Sequence, residues 1–86
     1  MPEHNLLLFA LSTCIHCKHA KEFLNTHSIK YDLIHVDLVK DSEQEAVMEE
    51  VIKYNPSLSF PTLVVDHGKK VIVGFKQAEY MELTNA

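Results

Sequence analysis

The first half of the chain switches between continuous apolar runs and apolar residues spaced at helical intervals. Leu6 to Ala10 is an uninterrupted apolar run of strand length, which is typical of a central strand covered on both faces. Ser12 or Thr13 can cap a helix that follows, and this helix is predicted to reach about His27. Its apolar residues recur every three or four positions and predict a buried stripe of Cys17, Ala20, Phe23 and Leu24.

A second strand and a second helix follow in the same order. Tyr31 to Asp37 alternates β-branched and polar residues and therefore predicts a strand. Asp41-Ser42 begins the second helix, because Glu45 stands three residues after Ser42 as in a capping box. This helix is predicted to end near Asn55-Pro56. Its predicted apolar face consists of Val47, Met48, Val51 and Ile52.

The last third of the chain predicts a β-hairpin and a short closing helix. Thr62 to Val65 and Val71 to Val73 are β-branched runs, separated by a turn in which Gly68 can take a positive φ. Gln77 to Leu83 is rich in helix-forming residues. The predicted order is β-α-β-α-β-β-α, and the first two strands must be parallel because a helix crosses between them. The prediction is one α/β domain over residues 1–86, with a four-stranded mixed sheet flanked by helices.

Composition limits the classes of function and partner. The chain has 86 residues, of which 47% are hydrophobic, and a net charge of −4 from eight basic and twelve acidic residues. No basic cluster is longer than Lys69-Lys70, so nucleic acid is not an expected partner. The N-terminal apolar run is too short to span a bilayer, and no Lys or Arg precedes it. We therefore expect no signal peptide, no membrane association and a cytoplasmic, reducing location.

Both cysteines lie in one short motif, Ser12-Thr13-Cys14-Ile15-His16-Cys17, at the start of the first predicted helix. Two intervening residues on a first helical turn place two sulfurs within disulfide reach, in a ring suited to repeated formation and cleavage. Unpaired N–H groups and the helix dipole favour the thiolate form of Cys14. His16, if protonated, and Lys18 would add positive charge there; the alternative is that both are ordinary surface residues.

Other uses of two cysteines stay open at this stage. A purely structural disulfide is more typical of secreted domains with several widely spaced pairs. A zinc site could use the cysteines with His16 and His19, but a second Cys/His pair at finger spacing is missing. We expect no metal site in the single chain. A different alternative is a carrier that holds zinc or an iron–sulfur cluster between two copies through Cys14 and Cys17.

Three segments in order resemble the glutaredoxin-like form of the thioredoxin fold over almost the whole chain. They are residues 12–18 with the cysteine pair, Ser59-Phe60-Pro61-Thr62 before the hairpin, and Val73-Gly74-Phe75 after the last strand. The resemblance implies that the peptide bond before Pro61 is cis. It also implies that Pro61 packs against the cysteine pair. It also implies a thiol–disulfide oxidoreductase and electron carrier, with Cys14 as the nucleophile and Cys17 as the resolving thiol.

The resemblance also suggests where substrates and reductants bind. The expected substrate contacts are Thr13, His16, Phe60, Pro61, Thr62, Gly74 and Phe75. A monomer that reduces disulfides of proteins or small molecules is expected, with no bound cofactor and with glutathione or a thioredoxin-reductase-type donor as reductant. Glutathione-using relatives carry a Lys where this chain has Leu11, and acidic residues where it has Lys76-Gln77. These differences favour the reductase or another dithiol donor.

Overall fold

A computed structural model describes residues 5–85, which form four strands and three α-helices in the predicted order. The strands are β1 (Leu6–Ala10), β2 (Asp32–His35), β3 (Thr62–Val65) and β4 (Lys70–Val73). The helices are α1 (Ile15–Thr26), α2 (Asp41–Tyr54) and α3 (Gln77–Glu82), with short 3-10 helices at Asp66–Gly68 and Leu83–Asn85. No helix within the described residues is both long enough and apolar enough to cross a membrane.

The four strands form one mixed sheet in the order β2-β1-β3-β4. β1 pairs in parallel with β2 and antiparallel with β3, so that Leu8 lies opposite Leu33 on one side and Leu63 on the other. β3 and β4 form the predicted antiparallel hairpin. The predicted fold class, including the parallel first pair of strands, is confirmed.

Each face of the sheet carries its own hydrophobic cluster, because successive residues of a strand point to opposite faces. We call the cluster beneath α1 and α3 the α1/α3 cluster and the one beneath α2 the α2 cluster. The α1/α3 cluster contains the predicted helical stripe, and its buried members are Leu6, Leu8, Ala10, Cys17, Ala20, Phe23, Leu24, Leu63, Val65, Ile72, Tyr80 and Leu83. The α2 cluster is smaller, and its buried members are Phe9, Val36, Val51 and Val64.

Both predicted helix caps are wrong. The N-cap of α1 is Cys14 and not Ser12 or Thr13, because Ser12 instead donates its N–H and its hydroxyl to the carboxylate of Asp37. The N-cap of α2 is Lys40, with no side-chain cap, so Ser42 lies inside the first turn and forms no capping box.

The remaining differences are small shifts of boundary and burial. β2 is shorter than the predicted Tyr31–Asp37 strand, although the N–H of Val36 still bonds to the Ala10 carbonyl at 3.0 Å. β4 begins one residue earlier than predicted, and α3 ends one residue earlier and continues as a 3-10 turn. Of the predicted apolar face of α2, Val51 is buried but Ile52 is 45% exposed, since adjacent helix positions point about 100° apart.

The hairpin turn depends on glycine, as predicted. Gly68 has a φ of +105°, and a Cβ added there would lie 2.9 Å from the Cε1 atom of Tyr54. Asp66 and His67 also have positive φ, so three successive residues of the turn lie in the left-handed region. The close approach of the Tyr54 ring is a second reason why a side chain does not fit at this position.

Asn55 organises the loop between α2 and β3. Its side chain is buried and donates from Nδ2 to the Ser59 carbonyl (2.9 Å) and to Thr62 Oγ1 (3.0 Å). Its Oδ1 accepts the N–H and the hydroxyl of Ser57 at 3.2 and 2.6 Å. The loop leads into the Phe60-Pro61 peptide bond, which is cis, as the resemblance implied.

We predict that Asn55→Ala lowers the free energy of unfolding by about 2 to 3 kcal/mol, because it leaves buried polar groups of the loop without partners. Asn25→Ala is the matched control, since Asn25 is exposed on α1 and its side chain only accepts a long bond from Tyr31. The control should change stability by less than about 0.5 kcal/mol. Urea unfolding of both variants measures the difference, and equal effects would contradict the role of Asn55.

Candidate active site

The two cysteines lie where the chain leaves β1 and enters α1. The Cys14 N–H donates to the Leu11 carbonyl at 3.3 Å, and the Cys14 carbonyl accepts the first helical bond from the Lys18 N–H at 3.0 Å. The Cys14 Sγ accepts the N–H of Cys17 at 3.4 Å. The thiol thus takes the position that a serine or aspartate oxygen occupies at most helix starts. Both cysteines are free thiols; Cys14 is half-buried and Cys17 is fully buried.

The pKa of the Cys14 thiol is lowered by its hydrogen bonds. Partial burial acts in the opposite direction and raises it, but the thiol of Cys17 and the N–H groups of Cys17 and His16 together outweigh burial by stabilising the thiolate. The positive charge of Lys21 lowers the pKa further. Cys14 is therefore the thiol that is more readily ionised near neutral pH.

Cys17 has the opposite character. Burial raises the pKa of its thiol to about 11, although the Leu11 N–H, 3.4 Å from the sulfur, favours the thiolate. A negative charge on Cys14 raises the pKa of Cys17 further. The environment thus separates the pKa values of the two thiols, so that Cys14 ionises more readily than Cys17.

Lys21 is a residue of the site that lies outside the cysteine motif. It lies seven residues after Cys14 and four after Cys17, which places it on the same side of α1. Lys21 is half-buried, and its Nζ is 3.2 Å from Nε2 of His35, at the end of β2. Its charge lowers the pKa of both cysteines. The spacing of seven and four residues from the cysteines is the sequence signal for Lys21, whereas Lys18 only adjoins the motif.

Asp37 fixes the turn before the cysteines. Its carboxylate accepts the Ser12 hydroxyl, and also the Ser12 N–H at 3.0 Å. These bonds lower the pKa of Asp37, so the carboxylate is ionised at neutral pH. The residue beyond the end of β2 is thereby attached to the segment that presents Cys14.

The segment Phe60-Pro61-Thr62 enters β3 opposite the end of β1, from which the cysteine motif follows. Phe60 is half-buried and packs against the same α1/α3 cluster as Cys14, while Pro61 is fully buried. The Thr62 hydroxyl is also buried and donates to the Ser59 carbonyl at 2.8 Å. Phe60 can therefore present its exposed part to a substrate, whereas a contact from the Thr62 side chain would require this buried bond to open.

Of the other predicted contact residues, Gly74 and Phe75 follow β4, whereas Thr13 and His16 adjoin Cys14 along the chain. Gly74 has a φ of +79° and donates its N–H to the Pro61 carbonyl at 2.8 Å, which joins the end of β4 to the proline loop. Phe75 is half-buried against the α1/α3 cluster, with its ring 6.0 Å from that of Phe23. Thr13 and His16 are exposed on either side of Cys14. Ile15, which the motif analysis did not single out, is 55% exposed there.

Three further residues are those expected to decide between glutathione and a dithiol donor as reductant, namely Leu11, Lys76 and Gln77. Leu11 is half-buried against the α2 cluster. Lys76 is the N-cap of α3, and its exposed Nζ is 3.9 Å from Oε2 of Glu79. Gln77 is exposed at the first position of α3. No acidic side chain stands at 76 or 77, and the acid nearest along α3 is paired with Lys76.

No group of three or more His, Cys, Asp or Glu side chains within residues 5–85 is arranged to hold a metal ion. His19, considered as a zinc ligand, has its ring 6.3 Å from that of Phe75. The zinc alternative within a single chain thus has no ligand set among these residues.

Comparison with known proteins agrees with this geometry. The sequence model of the glutaredoxin family matches residues 6–71. The chain belongs to the glutaredoxin family. Members of this family are thiol–disulfide oxidoreductases, so the cysteine pair lies on a fold whose general chemistry is thiol–disulfide exchange. A comparison with curated protein sequences found no match.

Three solved structures are similar over nearly the whole chain. A glutaredoxin from Methanosarcina mazei shares 38% identity at a TM-score of 0.83, with 95% of this chain and 79% of that chain covered. Methanoredoxin from Methanosarcina acetivorans shares 33% at a TM-score of 0.87, with coverage of 95% and 85%. A glutaredoxin from Archaeoglobus fulgidus shares 30% at a TM-score of 0.84, with coverage of 95% and 87%.

We predict that Cys14 is alkylated first, and that its rate reaches a plateau at lower pH than that of a free thiol. A lowered pKa maintains the thiolate at lower pH, whereas Cys17 requires a pH near 11. Mass spectrometry of the two cysteines after timed alkylation at a series of pH values measures both profiles. Faster alkylation of Cys17 would contradict this assignment.

Lys21→Gln should shift the Cys14 profile to higher pH, because it removes a positive charge that favours the thiolate. Lys18→Gln is the matched control on the same helix, since Lys18 is exposed. The same shift in both variants would mean that net charge, and not the position of Lys21, determines the effect.

Proposed function

We propose that this protein reduces disulfides of protein substrates by a dithiol mechanism, with Cys14 as nucleophile and Cys17 as resolving thiol. The observation that carries the proposal is the opposite character of the two sulfurs. Cys14 is half-buried with a lowered pKa, and Cys17, one helical turn away, is buried with a pKa raised to about 11. A pair that only stapled the fold would not need this difference.

The exchange proceeds in two displacements. The Cys14 thiolate attacks one sulfur of the substrate disulfide, and the other substrate sulfur leaves as a thiolate that takes up a proton. Cys17 then gives up its proton and its thiolate attacks Cys14 Sγ, while the second substrate sulfur leaves as a thiolate and takes up a proton. The Cys14–Cys17 bond forms as the bond between Cys14 and the substrate breaks. The substrate disulfide gains two electrons, and the cysteine pair loses them.

The surface around Cys14 suits an extended polypeptide carrying a disulfide. The exposed side chain of Ile15 and the exposed part of Phe60 provide apolar contacts near the sulfur. Pro61 has no N–H and its carbonyl already accepts the Gly74 N–H, so the polar groups of Phe60 are the ones left to pair with a substrate strand. Thr13 and His16 complete the proposed contact surface.

We predict that Cys17→Ser traps substrates as stable mixed disulfides with Cys14, because no second thiol is present to resolve them. Pull-down without reductant, followed by elution with reductant and mass spectrometry, identifies the partners. The Cys14→Ser variant is the control: it should fold normally, since the pair closes no wide loop, and should trap nothing. Equal capture by the two variants, or loss of folding in Cys14→Ser, would contradict the dithiol mechanism.

The reductant that we propose is a dithiol donor such as a thioredoxin-reductase-type enzyme. Glutathione is small and carries charges at both ends, so opposite charges on the protein make up much of its possible binding energy. Each such exposed contact contributes about 0.5 to 1 kcal/mol, and more when it is partly desolvated. Leu11 offers an apolar side chain, and Lys76 offers a positive charge where relatives have acids.

We predict that a dithiol donor reduces the Cys14–Cys17 disulfide about tenfold faster than glutathione does at equal driving force. The reason is that the two missing charged contacts together weaken the binding of glutathione by about a factor of ten. Stopped-flow measurement of both reactions tests this. The double variant Lys76→Asp/Gln77→Asp should bring the rate with glutathione closer to the rate with the dithiol donor, because it supplies acidic groups. Fast, saturable reduction of the wild-type protein by glutathione would contradict the proposal and show that backbone groups at Phe60 and Gly74 suffice.

A further inference from the structure

One face of the sheet is only partly covered by helix. Four strands about 4.8 Å apart make a face about 15 Å wide between the outer strand axes, whereas a helix with its side chains is about 10 Å wide. α1 and α3 together cover one face, but α2 is the one α-helix of residues 5–85 that packs on the other. The second face is therefore left partly open beside α2.

The open part is a groove of about 320 Å³ between α2 and the first two strands. Its floor is apolar and consists of Leu7, Phe9 and Ile34. Leu7 and Ile34 are only half-buried, because no helix lies over them. Ala46 and Val47 of α2 form an apolar wall. β2 is an outer strand of the sheet, so the groove lies at the sheet edge.

Two carboxylates line the same groove. Glu43 and Glu50 are exposed residues of α2, and neither has an ion-pair partner among residues 5–85. Seven positions separate them, which is about two turns or about 10.5 Å along the helix. An apolar floor with unpaired acidic groups at its rim is complementary to a surface that carries apolar side chains between two positive charges.

The spacing of the two carboxylates favours a helix over a strand as the occupant. On a helix, basic residues at positions i and i+7 are about 10.5 Å apart on one face, and positions i+3 and i+4 lie between them on that face. On a strand, about 10.5 Å corresponds to three residues, and side chains three apart point to opposite faces. A strand therefore cannot direct both charges to the rim.

The charge of this surface disfavours a second copy of the chain as the occupant. The net charge of the chain is −4, and α2 has five acidic residues against one basic residue, Lys53. Two copies that met through their grooves would bring like charges together, which is unfavourable. A partner with a basic face meets no such repulsion and is attracted before contact.

We propose that this groove binds an amphipathic helix of a partner protein, packed beside α2 on the sheet. Two basic residues seven positions apart pair with Glu43 and Glu50, and apolar residues between them cover the floor. Cys14 packs against the α1/α3 cluster, which belongs to the other face of the sheet, so the docked helix leaves the thiol accessible. The inference does not depend on the reaction proposed for the cysteines.

The test uses the whole protein and a fluorescently labelled synthetic peptide of about 18 residues as the partner helix. The peptide has Arg at positions i and i+7, Leu at positions i+3 and i+4, and Ala and Gln elsewhere, so that it favours a helix and contains no cysteine. Fluorescence anisotropy should show saturable binding with a Kd below about 1 mM. The affinity should fall as the ionic strength rises. Absence of saturable binding would overturn the proposal.

Glu43→Gln/Glu50→Gln should weaken binding of the peptide about fivefold to tenfold, because it removes two exposed ion pairs. The matched control is Glu45→Gln/Glu49→Gln, which removes the same charge from exposed positions of α2 outside the groove. The control should change the affinity by less than about twofold. Equal weakening in the two double variants would overturn the groove as the binding site and leave only general attraction between opposite charges.

Ala46→Arg tests the groove by another route. Ala46 is exposed, so the variant should keep the thermal unfolding midpoint of the wild type. Its bulk and positive charge should nevertheless weaken binding of the basic peptide at least about tenfold, because the wall of the groove then repels it. Unchanged binding by the folded variant would contradict the proposal.

Three further results would each overturn the proposal by identifying another occupant or place. Equal binding of a peptide with proline at its centre, which cannot form the helix, would show that the groove takes an extended segment. Self-association of the protein alone that Ala46→Arg abolishes would identify a second copy, and sedimentation measures it. Slower alkylation of Cys14 in the presence of saturating peptide would place the peptide at the thiols, whereas we expect an unchanged rate.

Discussion

The hydrogen bond from the Cys17 N–H to the Cys14 sulfur is the interaction on which the site depends. It begins α1, and it uses the reactive atom to do so. A helix start has N–H groups that need an acceptor, and a thiolate is a better acceptor than a thiol. Formation of the helix and ionisation of Cys14 therefore favour each other. Cys17 is placed by the same turn, which buries its sulfur beneath the first one.

This arrangement requires that the segment before Cys14 be held by something other than its own helix. The Ser12 side chain bonds to Asp37, a residue 25 positions along the chain. The Leu11 N–H bonds to the sulfur of Cys17. The first bond joins the end of β1 to the residue beyond β2 and the second joins it to α1, so contacts between elements hold the turn. The position of Cys14 is thus a tertiary property.

The parts of the structure that sequence patterns could predict are those determined by burial. Apolar periodicity predicts β1, the buried stripe of α1 and the order of the elements. It does so because each apolar face must pack against another element to leave water. The caps could not be predicted in this way. Ser12 has the chemistry of a cap, but the competing acceptor on Asp37 is visible only after β2 has paired with β1.

Phe60 packs against both hydrophobic clusters, one on each face of the sheet. The residue next to the cysteine pair is therefore also part of the core beneath α2, on the side of the sheet away from the thiols. Interiors are packed at crystal-like density, so a change of side-chain volume beneath α2 that displaces this ring is felt by the cluster that contains Cys17. The two faces of the sheet are therefore not packed independently of each other at the end where the cysteine motif begins.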